Sequence, residues 1–317
     1  MAYIKSVLII GGSGFLGTAF ALKLRDRFKV FATYYKRPIS IPGVTMLPFD
    51  INERNWVKRT IYMAQPDVVI YAAGYNSIES THTHRNSLAP LAGAPTDNEI
   101  QSAERIHAEA PATLANLTEI LQPKFIYLSN PYVFDGTKGN YHESDTLVPS
   151  SVLGKMKSSG ENIVRSKCMN YIILRSSPVF GRGSGINVSF LDRLRMSLER
   201  NQRFEASHKE LHSFAPVEGL ADVIYTIVDS GLRNKILHYG GLTRATFYDL
   251  AIGFAKRFGY DPSLIIPIDK PLSPMPPHYE GSFLDFSLNS SQSIQTLKIK
   301  PFFLEEGLDL IKKKLIS

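Results

Sequence analysis

A chain of 317 residues with 44% apolar and 21% charged residues can bury a sizeable core and is globular by composition, which excludes a wholly disordered or fibrous protein. Its one cysteine, Cys168, rules out an internal disulfide and suits a reducing compartment such as the cytoplasm. The excess of 36 basic over 29 acidic residues is spread along the chain, with Lys312, Lys313 and Lys314 as a single run, so it argues for an anionic cofactor or substrate and against nucleic acid.

Taken in chain order, short apolar runs alternate with helical spacing. Ser6 to Ile10, Val30 to Thr33, Val68 to Tyr71, Phe125 to Leu128 and Tyr171 to Leu174 read as strands buried on both faces. Phe15 to Arg25, Trp56 to Met63, Ala103 to Ile120 and Val152 to Val164 read as the helices between them. Alternation of this kind predicts an α/β fold of Rossmann type, a doubly wound parallel sheet. Residues 1–180 form the predicted nucleotide-binding domain and 181–317 a smaller α/β lobe over a crevice, with helices at Val188 to Leu198, Val217 to Val228 and Phe247 to Phe258 and a strand at Ile236 to Tyr239.

Ser80 to Glu99, with Pro90, Gly93 and Pro95 and no periodicity, reads as a long loop, and Pro271, Pro274, Pro276 and Pro277 as an extended connector. The uncharged stretch Ser6 to Leu22 is interrupted by four glycines and is shorter than the roughly 20 apolar residues of a membrane span, so no membrane segment is expected.

The first predicted strand runs into Gly11-Gly12-Ser13-Gly14-Phe15-Leu16-Gly17, and the glycines satisfy the spacing of a dinucleotide fingerprint read from either Gly11 or Gly12. Glycines there permit a tight turn, close approach of backbone to a pyrophosphate, and close helix packing, while N–H groups of the following helix hold the phosphates. The end of the second strand, Tyr34-Tyr35-Lys36-Arg37, has two cations where an NAD-preferring site places an acid, which favours the 2′-phosphate of NADP(H). Asp50 and Ile51 follow the third strand and are placed for the adenine edge, with helix capping as the alternative for Asp50. His82 and His84 have no third ligand at a recognisable spacing, so no metal is expected.

Several motifs in order, Gly11 to Gly17, Tyr71-Ala72-Ala73, His107-Ala108-Glu109-Ala110-Pro111, Ser129 to Gly136, Tyr141 to Asp145 and Leu174 to Ser177, give the chain its likeness to a known family. It resembles the extended short-chain dehydrogenases/reductases over nearly its whole length, and within them the dTDP-4-dehydrorhamnose reductase branch, which the methionine adenosyltransferase beta subunit also resembles. The resemblance implies hydride transfer from NADPH to a C4 ketone of a nucleotide-linked 4-keto-6-deoxysugar, with a tyrosine as proton donor, a lysine four residues later, and a serine or threonine that polarises the ketone.

Here the lysine is Lys157, but Leu153 stands in the tyrosine position, Asn130 in the serine or threonine position, and His107 where the family has asparagine. The resemblance thus assigns catalysis to Lys157, Asn130 and a pocket wall at Tyr132. It assigns the dinucleotide to Gly11, Ser13, Gly14, Phe15, Leu16, Gly17, Tyr35, Lys36, Arg37, Asp50, Ile51, Ala72, Ala73, Gly74, Lys157 and Pro178. Leucine has no proton to give, so Tyr132, Tyr141, Ser129, Lys157 or a water would have to relay one. Two functions follow: an NADPH-dependent reductase of low activity on a nucleotide sugar, or a catalytically silent NADP(H)-binding subunit, as a homodimer or with a partner enzyme.

Overall fold

The computed structural model describes residues 4–74, 97–183 and 189–316. Strands β1 (Ser6–Ile10), β2 (Lys29–Tyr34), β3 (Val44–Pro48), β4 (Val68–Tyr71), β5 (Lys124–Ser129) and β6 (Tyr171–Ser176) join the strand Lys235–Tyr239 in one sheet of seven strands. The order is Lys235–Tyr239, β6, β5, β4, β1, β2, β3, and every adjacent pair is parallel. This is the expected Rossmann-type sheet.

The burial of the strands explains their unbroken apolar runs. Along β1, Val7 and Ile9 join one core cluster with Phe20 and Leu24 of helix α1 (Phe15–Leu24), whereas Leu8 and Ile10 join the opposite one with Val57 and Ile61 of helix α2 (Arg54–Ala64). Both faces are covered by helices, so neither needs polar side chains.

Winding outward from β1 to β3, then back from β4 to β6, opens a crevice at the carboxyl ends of β1 and β4. That is where open α/β sheets bind ligands.

The division at residue 180 is interleaved in space. Helix Val217–Asp229 returns to pack on α1, and Lys235–Tyr239 pairs with β6, so both belong to the sheet layers. The remaining C-terminal elements bury a second core of Leu194, Phe204, Phe214, Phe247 and Phe254. Short parallel pairs, Val179–Phe180 with Ala215–Pro216 and Phe204–Ser207 with Ile265–Ile268, stitch this lobe together.

Two sequence expectations shift. The helix expected at Ala103 already begins at Asp97, runs through a π-helical segment, Arg105–Glu109, and ends at Leu117. Its polar first turn, Asp97-Asn98-Glu99, carries no apolar periodicity that would mark it. The rest of the loop expected at Ser80 to Glu99, the His82 and His84 pair and Val188 lie outside the described residues. No helix among the described residues is long and apolar enough to cross a membrane.

Candidate active site

The glycine turn takes its shape from contacts that exclude side chains. Gly11 has φ +83°, and a Cβ there would stand 2.8 Å from the backbone of Ala73 on the neighbouring strand end. A Cβ on Gly17 would stand 2.2 Å from the Gly11 carbonyl oxygen, so this residue lets α1 start directly beneath the turn. Thr33 at the end of β2 holds the turn from the side: its hydroxyl accepts from Gly11 N–H at 3.0 Å and its carbonyl from Ser13 N–H at 3.0 Å. The first turn of α1 leaves backbone N–H groups without an intrahelical acceptor, and Gly14, its cap, adds no side chain over them.

The turn opens into a cavity of about 1110 Å³. Lining it are Gly11, Ser13, Gly14, Phe15, Leu16, Tyr35, Lys36, Arg37, Asp50, Ile51, Ala72, Ala73, Gly74, Asn130, Tyr132, Lys157 and Pro178. Of the residues assigned to the dinucleotide, Gly17 alone lies behind the wall, as a packing residue of the turn. Lys36 and Arg37 are exposed at the rim, with Lys36 Nζ 5.2 Å from the Tyr35 ring centroid. Asp50 does not cap α2: its Oδ1 accepts from the backbone and side-chain nitrogens of Asn52, both at 3.0 Å, and Glu53 opens the helix without a side-chain cap.

At the other end, β5 and helix Val152–Lys167 meet. Ser151 caps that helix by accepting from Gly154 N–H at 3.0 Å, which fixes the phase that puts Leu153 and Lys157 one turn apart on the buried side. Lys157 is buried, donates to the Leu128 carbonyl at 2.9 Å and lies 5.3 Å from the Tyr127 ring centroid. Leu153 is packed with Ala103, Tyr132, Leu284 and Phe286, and it also lines the cavity. Asn130 accepts from Tyr132 N–H at 3.1 Å through Oδ1, which fixes the plane of the amide and leaves its NH₂ as the hydrogen-donating edge. The Tyr132 ring sits edge-on to Phe286, with centroids 4.9 Å apart.

Behind this wall, Tyr71 donates to the Ile106 carbonyl and Tyr127 donates to the His107 carbonyl at 2.9 Å, so two stacked phenols satisfy the π-helical segment. Burial raises the pKa of both phenols, so both stay protonated and serve as structural donors. The His107 imidazole is fully buried, and neither ring nitrogen has a partner among the described residues. Burial first, and the Lys157 charge second, hold it well below the ordinary histidine range, so it is neutral. Ser129 Oγ is likewise buried without a partner among the described residues.

Tyr141, one relay candidate, is outside this wall. It stacks on Phe134 and donates to Asp135 Oδ1 at 2.7 Å, and burial with that carboxylate pushes its pKa up to about 12.

The family model described as RmlD substrate binding domain matches residues 5–280. The chain belongs to this family. A dTDP-4-dehydrorhamnose reductase of Aggregatibacter actinomycetemcomitans is 30% identical over 255 residues, 78% of this chain and 76% of that protein. The methionine adenosyltransferase 2 subunit beta of Bos taurus is 24% identical over 280 residues, 84% of this chain and 77% of that protein. Among solved structures, the dTDP-4-dehydrorhamnose reductase of Bacillus anthracis in complex with NADP superposes with a TM-score of 0.79 at 16% identity, covering 98% of this chain and 100% of that one. RmlD-family membership and fold therefore agree over nearly the full length.

The sequence missed several lining residues: Thr33, Ser102, Arg105, Phe190, Arg193 and Phe247. Ser102, Arg105 and Ile106 share a helical face by spacing, which offered a signal. Arg193 and Phe247 come from separate helices of the C-terminal lobe, and no local pattern connects them. No group of three metal-ligating side chains occurs among the described residues.

Proposed function

We propose that the chain is an NADP(H)-binding reductase acting on the C4 ketone of a nucleotide-linked 6-deoxysugar, at a rate limited by the missing phenol. The single observation that carries this reading is one continuous cavity with a phosphate-ready glycine turn at one end and buried Lys157 beside Asn130 at the other. The family's reductases supply the substrate class.

The residues present fit the dinucleotide. The turn offers bare backbone and the first N–H groups of α1 to the pyrophosphate, and Lys36 and Arg37 offer charge to a ribose 2′-phosphate. Asp50 and Ile51 face the adenine, and Ala72 to Gly74 with Pro178 flank the nicotinamide half. Bound reduced nicotinamide supplies the hydride.

The chain's own residues do the rest. Lys157, fixed by the Leu128 carbonyl, anchors the nicotinamide ribose and keeps a positive charge near the developing alkoxide. The Asn130 amide donates to the ketone oxygen, and Tyr132 walls the sugar. Leu153 contributes no proton, so the Ser129 hydroxyl or an ordered water delivers it, at a cost of about 10²- to 10⁴-fold in rate relative to a general acid.

A second reading rests on the same leucine. Packed in an apolar cluster, it leaves a dinucleotide site without an acid, as suits a regulatory subunit in a homodimer or with a partner enzyme, and the likeness to a methionine adenosyltransferase beta subunit agrees. Either role suits the cytoplasm, where the lone Cys168 stays reduced and its pKa is raised by burial to about 11.

Fluorescence titration with NADPH and NADH, followed by NADPH oxidation with dTDP-4-keto-6-deoxysugars, decides between them. Slow oxidation that disappears in Lys157→Ala supports the reductase. Tight NADPH binding with no oxidation of any 4-keto sugar nucleotide overturns it in favour of the silent subunit.

A further inference from the structure

The edge of the sheet opposite the cavity carries apolar side chains that the fold does not use. Helix α2, helix Ala110–Leu117 and helix Val152–Lys167 pack into the core on one face of the sheet and lead into the amino ends of β4, β5 and β6, which are neighbours. Backbone hydrogen bonds hold these connections side by side. Asp67 N–H donates to the Ser6 carbonyl at 2.9 Å, Lys124 N–H to the Asp67 carbonyl at 2.9 Å, and Phe125 N–H to the Asn170 carbonyl at 2.8 Å.

Ile4 before β1, Tyr62 and Met63 in the last turn of α2, Ile120 and Leu121 before β5, and Met169 before β6 are all exposed along this edge. Ile120 is 97% exposed, Tyr62 78% and Met169 73%, so packing within the chain accounts for none of the three. Exposed apolar residues scattered singly need no explanation, but a row of them at one edge marks an interaction surface.

Exposed cations flank the row. Lys29 N–H bonds the Lys5 carbonyl, which sets it beside Ile4, and Asn234 Oδ1 accepts from Tyr171 N–H at 3.2 Å, which sets Arg233 and Lys235 beside Met169. Lys167, whose Nζ donates to Asn116 Oδ1 at 3.2 Å, stands between the Ile120 and Met169 turns. Lys29, Lys167, Arg233 and Lys235 are exposed and form no ion pair among the described residues. The nearby acids Asp26 and Asp229 are paired with Arg25 and Arg27, and Asp67 accepts from Ser6 N–H at 2.7 Å, which leaves Glu119 to oppose the four cations.

We propose that this edge seats the protein on an anionic lipid surface, with Tyr62, Ile120, Leu121 and Met169 entering the headgroup boundary and the flanking cations meeting lipid phosphates. Shallow insertion of this kind needs no membrane span. Side chains standing out singly from separate turns suit a deformable partner, and a second copy of the same edge would set cation against cation. The cavity opens at the carboxyl ends of the strands, so it faces away from the lipid and stays accessible. The inference is independent of the reductase reading.

The test is flotation of the full chain with vesicles of phosphatidylcholine alone and of phosphatidylcholine with about 30% phosphatidylglycerol, at low and at raised salt. The wild type is expected to partition at least about tenfold better into the anionic vesicles, and less well as salt rises. Ile120→Ser combined with Met169→Ser removes apolar groups that contribute little to the fold and weakens partition by about tenfold or more. Arg233→Ser combined with Lys235→Ser weakens it by about tenfold and flattens its salt dependence. NADPH affinity stays within about twofold in both variants, which also shows that they fold.

A wild type that ignores anionic vesicles at low salt overturns the proposal, and so does equal binding to neutral vesicles. Partition lost with the cations but unchanged without Ile120 and Met169 overturns insertion and leaves only adsorption by charge. Self-association in sedimentation velocity that the Ile120 and Met169 variant abolishes, without vesicle binding, overturns it in favour of a protein partner.

Discussion

The two ends of the cavity are built from different materials. At the glycine end the surface is backbone, and the residues that shape it are also residues the fold cannot spare: a side chain at Gly11 meets Ala73, and one at Gly17 meets Gly11. At the Lys157 end the surface is side chain. Leu153 fits its apolar neighbours well, so losing a phenol there costs the fold nothing visible. Binding is protected by packing, and chemistry is not, which explains how one end keeps its features while the other departs from its family.

The largest expected effect is at the unprotected end. Leu153→Tyr places a phenol on the cavity wall one helical turn from Lys157, whose charge favours phenolate character. Turnover on a 4-keto sugar nucleotide is expected to rise by about 10²- to 10⁴-fold, read as steady-state NADPH oxidation, and no gain would show that more than the acid is missing.

At the protected end, Gly17→Ala drives a methyl into the Gly11 carbonyl. NADPH affinity is expected to fall together with stability, each by about 1–3 kcal/mol, in fluorescence titration and thermal melts. Loss of affinity without loss of stability would break the link between binding and packing proposed here.

The third effect is of acid. His107 in the fold stays neutral well below the ordinary histidine pKa of about 6.5, whereas the unfolded chain takes a proton near that value. The stability it contributes is therefore present above about pH 6.5 and is lost as pH falls, by about 1.4 kcal/mol per pH unit at most. His238, lowered to about 3 by burial and then by the charge of Arg175, has the same sign. Melts at pH 7.5 and 5.5 are expected to show the drop, smaller in His107→Asn, with NADPH affinity at pH 7.5 retained.

The smallest effect is at the solvated rim. Lys36→Ala with Arg37→Ala is expected to cut the preference for NADPH over NADH by about tenfold, an effect that shrinks as salt is raised because both side chains are exposed.

Much of the glycine end was legible in the sequence because its signals are local. Ser6 to Ile10 and Val68 to Tyr71 stand where their apolar runs place them, and Gly11 to Gly17 follow β1 as the spacing requires. β2 and β5 extend one residue beyond their apolar runs at each end, at Lys29 and Tyr34 and at Lys124 and Ser129, since polar residues can close a ladder. The Lys157 end was legible only through family likeness: Leu153 looks like any core leucine until its neighbours are known. Arg193 and Phe247 were not legible at all, because 54 positions of chain separate two residues that reach one cavity only through tertiary folding.

The return of Lys235–Tyr239 to the edge of β6 has a consequence for biosynthesis. Until the ribosome has released residue 239, β6 presents an open row of amides and carbonyls, and α1 lacks the cover of Val217–Asp229. A nascent chain halted before that point exposes both a sticky strand edge and an apolar helix face, which makes it a client for chaperones and an aggregation risk. Translation has to run past residue 239 before the dinucleotide-binding layer can close.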